Sequence, residues 1–244
     1  AQIPSEWVFD SLVDELWLRE GDEPHPDLPG KRIAEFFNHK VSNYVDIWSW
    51  WLGLHRRHHT IPTIKPPESI IDKTQAALIS RDVPCNFVAL QPLFDAPYNK
   101  YRNAPPDWWT KVADALIEAG LPVVILGPAK TIAAMQIPKR AFVLADLLPT
   151  VFDSLGVISQ ARVHVGGETG LPLWSCLFGT PVVFTSRAWK TGLGNPGTKR
   201  ANYDFRPIPY SAPVVWGPLE GNVSAIVAAV SGLHSGSIKT STTF

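Results

Sequence analysis

The chain has 244 residues, of which 45% are hydrophobic, enough for one large domain or two small domains with a sizeable core. Its 22 Lys and Arg residues balance 22 Asp and Glu residues, and with a formal net charge of +0 a broad electrostatic attraction to nucleic acid is not expected, while a local basic patch stays open. Cys85 and Cys176 lie in apolar contexts at no metal-ligand spacing, which predicts buried thiols in a reducing compartment such as the cytoplasm. No apolar run reaches the length of a transmembrane helix.

The first part of the chain, residues 1–84, combines helical patterns with proline-rich stretches. Residues 31–54 are the longest helical candidate, because their apolar side chains fall on one broad face. A basic cluster follows at residues 55–59, and it has two interpretations. Arg56 and Arg57 either complement the dipole at a helix end or contact an anionic acceptor or a membrane surface. The histidines of this cluster have no acidic neighbour that would complete a zinc site.

From residue 86 onward, short apolar runs alternate with amphipathic segments. A short helix at residues 69–79 lies in the proline-rich connection before them. The predicted strands are residues 86–91, 122–126, 141–144, 163–166 and 181–184. The predicted helices are residues 107–120, 131–135, 149–160, 171–178 and 219–233. This alternation predicts an α/β fold with a doubly wound parallel sheet, whose ligand crevice lies at the carboxyl ends of the strands.

Two later stretches carry no regular pattern. Residues 185–218 are a long loop rich in Gly and Pro, of the kind that usually carries function or partner contacts. The polar tail at residues 234–244 is expected to be flexible.

The clearest motif of the chain lies at residues 163–184, which read as strand, glycine turn, helix, turn and strand. The Gly-Gly pair allows a sharp turn, and Thr169 or Glu168 caps a helix that starts near Gly170. A helix N-terminus has free N–H groups and a positive dipole end, so it favours an anion such as phosphate. Gly and Thr are also common at any strand-to-helix turn, so an anion site and a purely structural turn both stay open.

Residues 167–170 (Gly-Glu-Thr-Gly), the apolar helix and the Gly-Thr-Pro turn at 179–181 resemble the donor-binding motif of GT-B glycosyltransferases. The resemblance is strongest to the ADP-heptose:lipopolysaccharide heptosyltransferase family, which typically reads Gly-x-Asp-Thr-Gly, then His, then Gly-x-Pro. Here Glu168 replaces the Asp, and Trp174 stands where the family has its His. The resemblance covers about residues 85–233.

This resemblance implies a GT-B-like fold in which residues 85–233 form a Rossmann-type donor domain for a nucleotide sugar. Residues 1–84 would then be an acceptor-side region that is reduced or partial. The implied donor-binding residues are Gly167, Glu168, Thr169, Gly170, Lys100, Arg102, Gly127, Leu144 and Asp146. Asp10 and Asp14 are the early carboxylates offered as catalytic general base.

Three of these assignments have a second interpretation. Lys100 and Arg102 either neutralise a diphosphate or are loose surface charges in a proline-rich loop. Glu168 either binds hydroxyl groups of the donor or complements the helix dipole. His164, between two valines in a strand, is interpreted as a core histidine with satisfied hydrogen bonds rather than as a base.

The resemblance implies metal-independent transfer of a sugar from a nucleotide-diphosphate donor to a hydroxyl group of a glycan or a lipid-linked acceptor. A helix dipole, N–H groups and a Lys or Arg would stabilise the departing diphosphate, so no metal and no cofactor are expected. The expected place is the cytoplasm or the periphery of a membrane. Two other functions stay open: a nucleotide-sugar epimerase of the same architecture, and a non-catalytic domain that uses the fold for binding.

Overall fold

The computed structural model describes residues 63–92, 104–167, 169–185, 214–217, 223–238 and 242–243. All of these residues lie in Ser42–Phe244, the second of the two compact units into which the chain divides. The described helices are α1 (Glu68–Ser80), α2 (Pro106–Glu118), α3 (Ala129–Ala133), α4 (Val151–Gln160), α5 (Gly170–Phe178) and α6 (Val223–Ser235). The described strands are β1 (Val88–Gln91), β2 (Val123–Ile125), β3 (Phe142–Val143), β4 (Val163–Gly167), β5 (Val182–Thr185), β6 (Val214–Gly217) and β7 (Thr242–Thr243).

These strands form a parallel sheet in the order β3-β2-β1-β4-β5-β6-β7. Strand β1 lies inside the sheet, and β2 and β3 follow outward on one side of it. Strand β4 then lies on the other side of β1. The direction of winding therefore reverses between β1 and β4, and such a switch point leaves a crevice at the carboxyl ends of the two strands. The predicted doubly wound parallel sheet is confirmed.

The central strands are covered on both faces, which explains their continuous apolar sequences. Every residue of β1, β2, β4 and β5 is buried. On one face the core includes Trp109 and Leu116 from α2 and Ile226 from α6. On the other face it includes Leu78 from α1 and Ile158 from α4. The sheet is thus the middle layer of three.

Helix α1 crosses α4 closely, because a glycine lies at the crossing point. A Cβ atom on Gly156 would lie 2.8 Å from both Cγ2 and Oγ1 of Thr74. Nearby, Gln160 Nε2 donates a hydrogen bond to Thr74 Oγ1 at 2.7 Å, and Lys73 Nζ donates to Asp153 Oδ1 at 2.7 Å. Helix α1 is therefore held to the helical layer that covers the sheet.

Helix α1 packs on the sheet although it precedes the predicted domain border between residues 84 and 85, and that border stays a prediction. The α1 residues Ala77 and Leu78 belong to the same hydrophobic cluster as Phe87 and Ala89 of the sheet region. The proline residues around α1 suggested a connection between domains. The apolar face of α1 instead completes one face of the sheet.

The C-terminal part differs from the sequence prediction in two places. Strand β6 lies within the stretch that was expected to be an irregular loop, and β7 lies within the expected flexible tail at 234–244. Val215 and Trp216 of β6 pair with Thr242 and Thr243 of β7 in parallel register. Thr242 and Thr243 thus add a strand to the edge of the sheet, while the flexibility expected for residues 234–244 stays a prediction.

The two cysteines also differ from each other. Cys176 is buried in α5, and burial raises the pKa of its thiol to about 12. Cys85 lies in the turn before β1 and is exposed, so the prediction of two buried thiols is wrong for this residue. Within the described residues, no helix combines the length and the apolar character needed to cross a bilayer.

Candidate functional site

The switch point of the sheet brings polar groups and glycines from the ends of three strands together at one edge. Gln91 ends β1 and lies opposite Gly166 of β4, while Gly167 lies opposite Thr185 of β5. Thr185 Oγ1 donates a hydrogen bond to the carbonyl of Gly166 at 3.1 Å. The glycine turn of β4 is therefore tied to its neighbour on one side and faces the end of β1 on the other.

Thr169 is the N-cap of α5, as the sequence predicted for Thr169 or Glu168. Its backbone is extended, and its Oγ1 accepts a hydrogen bond from the N–H of Leu171 at 3.3 Å. At the other end, Gly179 has a φ of 78°, a left-handed conformation that glycine adopts without strain. Both ends of the short helix are therefore fixed by the motif that the sequence shows.

The Thr169 hydroxyl has a second contact across the switch point. It donates its proton to Gln91 Oε1 at 3.0 Å, which connects the start of α5 to the end of β1. Gln91 is a polar residue at the end of a buried apolar strand, and this was the signal that could have identified it from sequence. A hydroxyl group carries a single proton, so it can donate either to Gln91 or to a bound ligand.

Gly166 is needed where it stands because three groups surround it. A Cβ atom there would lie 3.0 Å from Gln91 Oε1, 3.0 Å from Pro172 Cγ and 3.1 Å from His164 Nε2. Gly170, by contrast, faces open space: a Cβ atom there would meet no described atom within 4 Å. Gly166 is thus closely surrounded, whereas the described residues leave space around Gly170, the first residue of α5.

The first turn of α5 offers a small set of donors to an anion. Pro172 has no N–H group, and the N–H of Leu171 is engaged by Thr169 Oγ1. The N–H of Gly170 and the Thr169 hydroxyl are therefore the donors that this first turn can offer to a ligand. The positive end of the helix dipole lies at the same place. An arrangement of this kind suits a phosphate group.

His164 lies beneath the same turn and is completely buried. Its Nδ1 lies 2.5 Å from Ser175 Oγ, and Ser175 Oγ donates to the carbonyl of Leu171 at 3.2 Å. Burial lowers the pKa of His164 to about 3, so the ring is neutral at physiological pH. The prediction of a core histidine is confirmed, but not the expectation that its hydrogen bonds are satisfied. Its Nε2 has no hydrogen-bond partner among the described residues.

Three other predicted residues lie after the strands on the far side of the switch point. Gly127 follows β2 with a φ of 135°, and Leu144 follows β3 and is buried. Asp146 is exposed, and its carboxylate forms an ion pair with the guanidinium of Arg81. Gly127 and Leu144 therefore lie at the edge of the sheet that carries the glycine turn. The Asp146 carboxylate instead pairs with Arg81, the residue that follows α1.

The remaining predicted residues fall in parts of the chain that the structure does not describe, and their assignments stay predictions. They are Asp10, Asp14, Arg56, Arg57, Lys100, Arg102 and Glu168. In the described part of the chain, no group of three or more His, Cys, Asp or Glu side chains is arranged to hold a metal ion.

Comparison with known proteins supports the architecture. No protein-family model matches the chain, and no curated protein matches it. The crystal structure of the glycosyl transferase family 9 protein from Veillonella parvula is similar, with a TM-score of 0.58 and 12% sequence identity over 81% of this chain and 62% of that chain. The E. coli ADP-heptose LPS heptosyltransferase II is also similar, with a TM-score of 0.48 and 16% identity over 72% of this chain and 54% of that chain.

The likeness to the Veillonella parvula structure confirms the fold that the sequence predicted, a GT-B-like arrangement with a Rossmann-type parallel sheet. The TM-score of 0.58 at 12% identity shows a common fold alone, so the reaction has to be argued from the site itself. The chain spans 62% of the length of that protein.

Proposed function

We propose that this chain is a glycosyltransferase in which residues 85–233 bind the donor, and that it moves a sugar from a nucleotide-diphosphate donor to a hydroxyl group of a glycan or a lipid-linked acceptor. The observation that carries the proposal is the glycine turn and α5 N-terminus at the switch point of the sheet, with an open side at Gly170. Ligands of doubly wound sheets bind at this place, and phosphates bind at such helix ends.

In this proposal the diphosphate of the donor lies against the first turn of α5. The Gly170 N–H and the Thr169 hydroxyl donate hydrogen bonds to it, and Lys100 or Arg102 supplies a positive charge. When the bond between the sugar and the diphosphate breaks, negative charge accumulates on the departing phosphate oxygen. Donors and a helix dipole that are already oriented stabilise that charge, so the proposed transfer proceeds without a metal ion.

The nucleoside would extend along the edge of the sheet toward the ends of β2 and β3, where Gly127 and Leu144 lie. We place Asp146 at the border of this region, with its carboxylate held by Arg81. Glu168, next to the cap residue, would accept hydrogen bonds from hydroxyl groups of the donor.

The acceptor-side chemistry belongs to residues 1–84 in this proposal. Asp10 or Asp14 would take the proton of the acceptor hydroxyl as it attacks the sugar carbon, and the resulting carboxyl group would pass that proton to solvent after the nucleoside diphosphate has left. Arg56 and Arg57 would contact an anionic acceptor or the membrane that carries it. The enzyme would work in the cytoplasm, where nucleotide sugars are its substrates and nucleic acid is not a partner.

A ligand screen tests this proposal. The purified chain is heated with each common nucleoside diphosphate and nucleotide sugar, with Mg²⁺ and with a chelator. A ligand at 100 times its dissociation constant adds about 2.7 kcal/mol to the free energy of unfolding, which gives a clear shift in Tm. We expect a shift that survives the chelator and that decreases in Thr169→Val, a variant of nearly the same volume without the donor hydroxyl. The absence of a shift with every nucleotide would refute the proposal.

Turnover distinguishes an enzyme from a binding domain. With the stabilising nucleotide sugar and a mixture of glycan and lipid-linked acceptors, the enzyme should release nucleoside diphosphate. The double variant Asp10→Asn and Asp14→Asn should keep the ligand-induced Tm shift and lose this release. Binding without release in the unchanged chain would instead identify a non-catalytic domain.

A further inference from the structure

The side chain of His164 has an unused hydrogen-bonding atom directly below the candidate phosphate site. The ring is completely buried, its Nδ1 is engaged by Ser175, and its Nε2 has no partner among the described residues. Buried polar atoms are almost always paired in folded proteins. An unpaired atom of this kind beside a candidate site therefore indicates a partner that arrives in another state of the protein.

Gln91 is the side chain in position to become that partner. Its Oε1 and the Nε2 of His164 border the same small space above Gly166, at 3.0 and 3.1 Å from the point that a Cβ atom would occupy. Alternate residues of a strand point to the same face, so His164 and Gly166 share a face of β4, and Gln91 faces Gly166 from β1. The Gln91 amide can turn within this space because Gly166 has no side chain.

At present Gln91 is held by Thr169, whose hydroxyl donates to Oε1 at 3.0 Å. That proton is also the one that the proposed phosphate needs. A phosphate that takes it leaves the Gln91 amide without its donor, next to a histidine atom without a partner. The two unpaired groups complement each other, since an amide offers both an acceptor and donors.

We infer that His164 is a positioning residue for the phosphate site, which acts through Gln91 by an exchange of hydrogen bonds. When phosphate binds, the Thr169 hydroxyl turns from Gln91 to the phosphate, and the Gln91 amide pairs with His164 Nε2. This inference rests on the proposed function, because it requires a phosphate at the first turn of α5.

The bonds of Ser175 select the tautomer of the ring. The single Ser175 hydroxyl proton goes to the Leu171 carbonyl, so Nδ1 carries the ring proton and donates it to Ser175 Oγ. Nε2 is then an acceptor, and it accepts from the Gln91 NH₂ group after the amide rotates. Burial keeps the ring neutral, since its pKa is lowered to about 3, so His164 contributes a hydrogen bond and no charge. Gln91 thus accepts from Thr169 in the free state and donates to His164 Nε2 in the bound state, which gives a partner to the buried atom that has none among the described residues.

The test observes the ring directly by NMR. The chain is labelled with ¹⁵N-histidine, and the signal of His164 is assigned by its loss in His164→Phe, or by its shift in Ser175→Ala if the first variant does not fold. The probe is the nucleoside diphosphate, from ADP, GDP, UDP and CDP, that stabilises the unchanged chain. We expect the Nε2 signal to move on saturation, and not to move in Gln91→Leu. His234, whose Nε2 bonds to the Asn86 carbonyl at the opposite edge, is the internal control.

Affinities give the second readout. His164→Phe, which keeps the ring volume, should weaken nucleoside diphosphate binding about three- to ten-fold, the effect of one net hydrogen bond. In a Gln91→Leu background the same change should have no further effect. Val163→Ala is the matched control, because Val163 is equally buried in β4 but points to the other face and should leave affinity unchanged.

The outcomes separate the inference from the proposed function. Binding by the unchanged chain with a stationary Nε2 signal, or with equal effects of His164→Phe in both backgrounds, would overturn the exchange and leave the donor site standing. No binding of any of the four diphosphates would overturn both.

Discussion

Replacing Gly166 by alanine adds one methyl group to a closely surrounded space in the candidate site. That methyl group would lie 3.0 Å from Gln91 Oε1, 3.0 Å from Pro172 Cγ and 3.1 Å from His164 Nε2, whereas ordinary contacts begin at 3.4 Å. Each neighbour would have to retreat by a few tenths of an ångström. Pro172 is fixed in the first turn of α5, and Gln91 can retreat only by weakening its bond to Thr169.

The expected loss of stability follows from this overpacking. Inserting a methyl group into a closely packed site lowers the free energy of unfolding by about 1–3 kcal/mol. For a protein of this size, each kcal/mol corresponds to about 2–4 °C in Tm. Gly166→Ala should therefore melt about 2–12 °C below the unchanged chain. It should also bind nucleoside diphosphates more weakly, because the Thr169 cap moves with its partners.

Gly170→Ala is the matched control, since a Cβ atom there meets no described atom within 4 Å. Alanine favours helix over glycine by up to about 1 kcal/mol, so this variant should be as stable as the unchanged chain or slightly more stable. Urea unfolding followed by circular dichroism measures both variants against the unchanged chain. Full stability of Gly166→Ala, or an equal loss of stability in both glycine variants, would show that the space around Gly166 is not closely packed.

Three further predictions concern the parts of the fold that support the site. Gly156→Ala would place a Cβ atom 2.8 Å from side-chain atoms of α1, so its free energy of unfolding in urea should fall by about 1–3 kcal/mol while nucleotide affinity stays unchanged. An altered affinity at full stability would contradict this prediction. Burial tends to raise the pKa of Asp153, but its bonds, led by that from Lys73, outweigh this and keep the pKa below the usual 3.8. The resulting stabilisation is fully present above the pKa that Asp153 has in the unfolded chain, and it is lost as pH falls through the lower pKa of the folded chain. Lys73→Met should therefore flatten the acid limb of a curve of unfolding free energy against pH. An unchanged acid limb would speak against the Lys73–Asp153 ion pair. A thiol reagent should modify exposed Cys85 in the native chain and reach Cys176 only after unfolding, and equal rates at both would disprove the burial difference.

The sequence predicts the central layer of the fold well because its signals there are local. Apolar β-branched runs identify β1, β2, β4 and β5, and Thr and Gly mark the two ends of α5. The boundaries of α1 to α5 and β1 to β5 lie within two residues of the predicted ones. The crevice itself follows from alternation, since parallel strands joined by helices bring their carboxyl ends to one edge.

The elements that the sequence does not reveal depend on long-range contacts. Strand β6 lies in a stretch rich in Gly and Pro, and β7 consists of two threonines in a polar tail, so neither stands out from its surroundings in the sequence. Each pairs with a neighbouring strand in the fold. The apolar face of α1 is visible in the sequence, but the layer that it covers is not.

The contacts within the site are hidden for the same reason. Thr169 and Gln91 are 78 positions apart and meet only through the register of β1 and β4. The role of Gly166 also depends on this register, since its neighbours come from three different elements. A motif can therefore indicate a phosphate site, while the strand pairing determines which polar groups surround it.

A crystal structure of the chain with the nucleoside diphosphate that stabilises it tests the proposed donor site most directly. We expect phosphate oxygens within hydrogen-bond distance of the Gly170 N–H and Thr169 Oγ1, with the nucleoside along the edge formed by the ends of β2 and β3. A nucleotide bound elsewhere, or an empty α5 N-terminus at a saturating ligand concentration, would contradict it.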